Sequence, residues 1–262
     1  MQNFAEKHQS VLLDELTSSL CLSPGDVAID CTVGAGGHTL RILEAVGSRG
    51  HVVGIDRDDH AMAIARERLA RYLQSGNLTL VKSPFSKLDD VALNLGLIGK
   101  VQGICADIGV SSMHLDESAR GFSFSEDGPL DMRMDQGSPT TAADLVAEMN
   151  EEDLTRIFRD YGEEPKAKAI ARRIVQARAE APITTTRQLA DLIKYGSFYP
   201  TVSRKHPATR VFQALRIAVN DELGELRSLL ESGFSVLKPG GRMAIISFHS
   251  LEDRLVKAKF TE

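Results

Sequence analysis

Apolar and polar positions along this chain fall into blocks with two different periods. Short continuous apolar runs at 27–29, 51–55, 78–81, 101–108 and 242–248 have the length of buried strands. Segments with helical spacing lie at 11–21, 39–43 and 61–73, before and between the first runs. Strands alternating with helices predict an α/β fold with a parallel sheet and right-handed crossovers. Ligands of such sheets bind beyond the carboxyl ends of the strands.

After residue 109 the rhythm changes. Residues 110–137 follow neither period, yet they hold Phe122, Phe124 and three methionines, which argues against plain disorder. Helical spacing then returns in Leu154, Ile157, Phe158 and Tyr161, and again in Ala167, Ile170, Ala171, Ile174 and Val175. Thr184-Thr185-Thr186 opens a further helix with Leu189, Leu192 and Ile193 as its buried face. The pattern offers no strand between 109 and 210. It therefore predicts a sheet domain over 1–114 and 211–262 and an inserted helical domain over 115–210. Phe212, Leu215, Val219, Leu223, Leu226 and Leu230 mark one long helix, and Leu237-Lys238-Pro239-Gly240-Gly241 a turn before the fifth strand.

The first strand runs into Asp-Cys-Thr-Val-Gly-Ala-Gly-Gly-His at 30–38, and a helix follows. Glycines let the backbone approach a ligand closely, and a helix N-terminus offers unpaired N–H groups. The dinucleotide fingerprint would place its third glycine at 39, which is Thr39, and the loop lacks the lysine of a phosphate-binding P-loop. Asp-x-Thr-x-Gly-x-Gly-Gly is more similar to the first motif of class I methyltransferases, which use S-adenosylmethionine. Asp56 ends the second run 22 positions after Gly34, a spacing suited to a ribose hydroxyl pair. It can equally cap the next helix, although Asp58 and Asp59 can do that. Phe85 follows the third run, where its ring either packs on an adenine or belongs to the core. Asp30, Asp56 and Asp107 each close a strand, so three carboxylates fall on the ligand-binding edge.

Composition narrows the class. The 262 residues are 42% apolar and 26% charged, enough for a full core and ordinary for a soluble protein. No apolar run reaches a membrane span and no signal-peptide pattern opens the chain, so the expected location is cytoplasmic with no membrane partner. Cys21, Cys31 and Cys105 lack metal-site spacing; free thiols and no metal are expected. The net charge of −5 hides an asymmetry, because 165–216 carries eleven basic residues against Glu180 and Asp191. That stretch either meets phosphate or is a solvated helical face.

Several peptides together carry a more specific resemblance. They include His8 with Val11-Leu12-Leu13-Asp14-Glu15, Gly34-Ala35-Gly36-Gly37-His38, Asp107-Ile108-Gly109-Val110-Ser111-Ser112 and Gly121-Phe122-Ser123-Phe124. Further along come Gly128-Pro129-Leu130-Asp131-Met132-Arg133-Met134, Tyr161-Gly162-Glu163-Glu164, His206-Pro207-Ala208-Thr209-Arg210 and Ser247-Phe248-His249-Ser250-Leu251-Glu252-Asp253-Arg254. In this order they resemble the ribosomal RNA small subunit methyltransferase H (MraW) family. The resemblance implies a Rossmann-like class I methyltransferase domain with a helical, substrate-recognising insertion. It also implies methylation of the exocyclic N4 of one cytidine in 16S rRNA within small-subunit particles. Cofactor contacts carry over to Gly36, Gly37, His38, Asp56, Phe85, Asp107 and His114; relatives often have glutamine at the last position. Asp131, Arg133 and His249 can line the base pocket, or Asp131 and Arg133 can simply pair with each other. No catalytic residue is singled out, and the oligomeric state, monomer or homodimer, stays open. Ser10 replaces a proline common in relatives. Relatives also continue past the position of Glu262 with a basic tail supplying the last strands, a departure that bears on stability and substrate binding. The alternatives are a nicotinamide-dependent reductase, which Thr39 opposes, and a catalytically silent ribosome-binding factor that keeps the fold.

Overall fold

The computed structural model describes residues 10–195 and 206–262, so His8, Arg204 and Lys205 lie outside the described residues. The chain divides into two compact units: one runs to Gly109 and resumes as Leu223–Glu262, and the other is Val110–Glu222.

In the first unit five strands form one parallel sheet. They are β1 (Val27–Asp30), β2 (His51–Asp56), β3 (Leu78–Lys82), β4 (Val101–Asp107) and β5 (Leu237–Ile246), in the order β3-β2-β1-β4-β5. The strands are near-continuous apolar runs because helices cover both faces. Alternate residues face opposite layers: Ile29, Val53 and Ile104 meet Leu88 and Leu226 on one side, and Ala28, Val52 and Cys105 meet Ile42 and Leu43 on the other. The order reverses between β1 and β4. In sheets of this kind ligands bind at the carboxyl edge near such a reversal, and Asp30, Asp56 and Asp107 stand on that edge.

Three expectations need correction. The helix expected over 61–73 is two, Asp59–Arg68 and Ala70–Gln74, broken at the fully buried Leu69. The long helix through 212–230 is also two, Thr209–Asn220 and Glu222–Val236, because Asp221 adopts a left-handed backbone with φ 46°. The Lys-Pro-Gly-Gly turn lies inside β5, not before it. Val101 pairs with Leu237 and Gly103 with Arg242, so the turn loops out of the ladder as an irregularity.

The second unit is helical. Ala142–Glu148, Glu151–Asp160, Ala167–Glu180, Thr186–Lys194 and Thr209–Asn220 surround a core that includes Leu154, Phe158, Ile170, Ile174, Leu189 and Leu215. Thr141, Asn150 and Thr185 cap the helices they precede, each accepting a backbone N–H three residues on. The irregular stretch expected at 110–137 holds only a short helix, Ser112–Asp116, and a 3-10 turn, Ser118–Arg120. Asn220 fixes it from far along the chain, donating to Met132 O at 2.7 Å and accepting from Met134 N at 2.8 Å. Among the described residues no helix is long and apolar enough to cross a membrane.

Candidate active site

The site in the first unit is built on the loop after β1. Asp30 is buried and turned into that loop: Oδ1 accepts the Thr32 N–H at 3.1 Å and Oδ2 the Thr39 hydroxyl at 2.6 Å. It braces the turn and does not face outward as a ligand-binding acid would. Gly36 is left-handed (φ 82°) and precedes the helix Gly37–Val46. A Cβ at Gly36 would come 3.0 Å from the buried Leu69 side chain, and one at Gly37 would strike the Ser10 hydroxyl. The position where this sequence departs from proline therefore lies against the glycine loop. Arg68 closes the turn from outside, donating to Ala35 O at 3.1 Å.

Asp56, at the end of β2, accepts the Gly34 N–H on Oδ2 at 2.8 Å and the Asp58 N–H on Oδ1 at 2.9 Å. Capping of the following helix falls to Asp58, whose side chain accepts the His60 N–H. Phe85 begins the 3-10 turn Phe85–Lys87 and packs half-buried against the core beneath β1, β2 and β4. Ser86 is anchored beside it by the Glu225 carboxylate, 2.9 Å from its hydroxyl.

Asp107 ends β4. Its N–H donates to the Thr32 hydroxyl at 2.7 Å, which ties β4 to the loop after β1. Oδ2 lies 3.8 Å from His38 Nδ1, and the His38 ring holds the Val11 carbonyl through Nε2 at 3.1 Å. Oδ1 is buried and accepts no hydrogen bond among the described residues. Burial pushes the Asp107 carboxyl up to about 6; His38 opposes the shift, and the acids Asp30 and Glu252 add to it.

His249 follows β5 on the same edge and caps the helix Ser250–Phe260. Glu252 is 2% exposed and accepts the Phe248 N–H at 2.8 Å. Burial would raise its carboxyl, but the His249 side chain and the Phe248 N–H hold it below the usual range. Phe248 is left 54% exposed beside Gly109.

The remaining expected residues belong to the second unit. His114 closes a capping box with Ser111, and its ring stacks on Phe122 with centroids 4.8 Å apart. Asp131 and Arg133 pair in a fork, Nε to Oδ1 at 2.9 Å and Nη2 to Oδ2 at 2.8 Å. Arg133 also donates to Ser138 O at 2.6 Å, so the pair fastens its own loop. Burial opposes ionisation of Asp131, yet Arg133 holds its carboxyl below the usual range. The basic stretch is divided in use. Arg178 donates to Val146 O and Met149 O behind the helix Ala142–Glu148, and Arg216 pairs with Glu222. Lys166, Lys168 and Arg172 remain exposed.

Sequence reasoning did not find Thr32, Thr39, Glu252 or Asn220. Only Glu252 had a readable signal, since an acid three residues after a cap is the reciprocal capping spacing.

A parallel sheet in this order, a left-handed glycine turn after its first strand and acids ending its second and fourth define a class I methyltransferase that uses S-adenosylmethionine. The model of the MraW methylase family matches residues 5–262, and the chain belongs to that family. It is 50% identical to the "Ribosomal RNA small subunit methyltransferase H" of Symbiobacterium thermophilum over 97% of this chain and 79% of that one. The proteins of the same name from Paenibacillus sp. and Syntrophotalea carbinolica are 48% and 50% identical, each over 97% of this chain and 82% and 80% of their own lengths.

Proposed function

We propose that this chain methylates the exocyclic N4 of one cytidine in 16S rRNA, acting on small-subunit particles in the cytoplasm. The observation that carries the reading is the unbroken family match over 5–262, together with relatives named for this ribosomal subunit. In this reading the backbone of Gly36 and Gly37 lies against the methionine part of S-adenosylmethionine, and Asp56 accepts from its ribose. Phe85, His38 and Asp107 complete the contacts from the first unit; His114, in the second, is assigned on the family resemblance alone. Three features support the fit. The helix Gly37–Val46 starts at the glycine turn with no side-chain cap on its N–H groups. Asp56 ends β2 beside the glycine turn and holds the Gly34 N–H. Asp107 closes β4 on the same edge, its N–H tied to the loop after β1 through the Thr32 hydroxyl.

S-adenosylmethionine supplies an electrophilic methyl group on a sulfonium. The residues must do the rest. The lone pair of the cytosine amine is delocalised into the ring, so acceptors have to hold the amine in a more nucleophilic geometry, at near-attack distance. The target base has to leave its stack to reach them. The inserted helical unit is the part we assign to substrate recognition, with Lys166, Lys168 and Arg172 as exposed cations for phosphate. Asp131 and Arg133 hold their own loop in shape for a base, and His249 fixes the end of β5.

Deleting the gene and digesting 16S rRNA to nucleosides tests the proposal. Mass spectrometry should show the loss of one N4-methylcytidine, restored by the wild-type gene. An unchanged modification profile would refute it.

A further inference from the structure

An alkylated amine must lose a proton, and the carboxyl edge of the first unit holds a buried acceptor without a donor. Asp107 Oδ1 makes no hydrogen bond among the described residues, an unfavourable arrangement that calls for a reason. The neighbouring ring sharpens the point. His38 is 4% exposed, and its Nε2 lies 3.1 Å from the Val11 carbonyl. A carbonyl only accepts, so Nε2 carries a hydrogen toward it. Nδ1 faces Asp107 Oδ2 at 3.8 Å.

The surroundings tune the pair. His38 stands on the helix Gly37–Val46, Asp30 on β1, Cys105 on the same strand as Asp107, and Glu252 on the last helix. Burial and the acids Asp30 and Glu252 favour protonation of Asp107, and His38 opposes it, leaving the carboxyl at about 6. An acceptor titrating near the working pH is still ionised before reaction and binds a proton well. Thr32 holds the Asp107 backbone at 2.7 Å, so the strand end keeps its place.

We propose that Asp107 Oδ1 accepts the proton that leaves the methylated amine, with His38 as the positioning residue behind it. The proposal rests on the methyltransferase reading above. The N–H bond breaks and its electron pair stays on nitrogen as the amine lone pair. A new O–H bond forms on Asp107, which neutralises the carboxylate; the proton then passes to water as product leaves. Asp107 therefore responds to charge beside it. A cationic ligand holds the carboxylate ionised, whereas a neutral ligand of the same shape does not.

Calorimetry from pH 5 to 8 with S-adenosylmethionine, a cation at sulfur, and S-adenosylhomocysteine, its neutral thioether, reads this without turnover. The expected result is an affinity for the cation that falls about tenfold below pH 6, while the thioether changes by about twofold or less. In Asp107→Asn both profiles should be flat. In His38→Gln the fall for the cation should move to higher pH, because the imidazole no longer favours the ionised carboxyl; a purely structural role for His38 would leave it in place. Single-turnover transfer at saturating cofactor should drop about 100-fold or more in Asp107→Asn. Superimposable profiles for the two ligands would overturn the proposal, as would transfer by Asp107→Asn within about threefold of wild type. If neither ligand bound at any pH, the methyltransferase reading would fall with it.

Discussion

Asp56 and Gly34, 22 residues apart, are joined by a 2.8 Å hydrogen bond from the glycine N–H to the carboxylate. The end of β2 thereby sets the shape of the loop after β1. The other Asp56 oxygen holds the Asp58 N–H at 2.9 Å and so fixes the start of the next helix. One carboxylate thus shapes the cradle from the neighbouring strand end.

Asp56→Ala should therefore weaken S-adenosylmethionine binding about tenfold or more, since hydrogen bonds to a charged group contribute ~1.5–3 kcal/mol each. Calorimetry at pH 7.5 checks it. An affinity within about twofold of wild type would show that Asp56 serves the loop alone.

Gly36→Ala should be more harmful than Gly76→Ala. Both glycines have positive φ, 82° and 78°, but only at Gly36 would the new methyl meet another side chain, that of Leu69. The backbone term is about 1–2 kcal/mol at either position. Urea denaturation should show the larger loss for Gly36→Ala, and only that variant should lose cofactor affinity.

Asn220 is 7% exposed and spans Met132 O, Met134 N and Arg216 O. Asn220→Ala strands a buried N–H and buried carbonyls, each worth about 1–3 kcal/mol when left unpaired. The stretch 110–137 should then become sensitive to protease under native conditions. Unchanged proteolysis would mean that other contacts hold the stretch.

Asp107 bears on stability with a definite sign. Its folded carboxyl lies at about 6, above the ordinary value of 3.8, so folding favours the protonated form. That stabilisation is fully present below pH 3.8 and is lost as pH rises through about 6. Asp107→Asn should thus be more stable than wild type at pH 7.5, on the order of 1–2 kcal/mol after allowing for partial solvent access. The gain should shrink toward pH 4. Thermal melts across pH 4–8 measure it; a variant less stable than wild type at pH 7.5 would contradict the sign.

Much of this molecule was legible in the sequence, for local reasons. A strand buried on both faces is a continuous apolar run, so 27–29 and 51–55 announced β1 and β2, and their terminal acids came with them. Thr185 was readable as a helix start because its capping partner Gln188 is three residues away. The failures are places where geometry overrides pattern. Apolar spacing passes smoothly through Asp221, whose left-handed backbone nevertheless ends one helix and begins another. Lys238-Pro239-Gly240-Gly241 has turn chemistry, yet the strand resumes around it. Nothing near Met132 indicates that its carbonyl is satisfied from residue 220. The site shows the same division. The glycine loop, Asp56 and Asp107 were visible as motif and spacing. That Asp30 turns inward to Thr39, and that the His38 tautomer is set by Val11, depends on contacts no periodicity encodes.

The most direct measurement uses small ribosomal subunits purified from a strain lacking the gene. They are incubated with this protein and S-adenosylmethionine carrying a labelled methyl group, and the 16S rRNA is digested and analysed by mass spectrometry. The account predicts label in a single N4-methylcytidine, approaching one methyl per particle. Label in any other nucleoside, or intact binding to the particle with no label transferred, would contradict it.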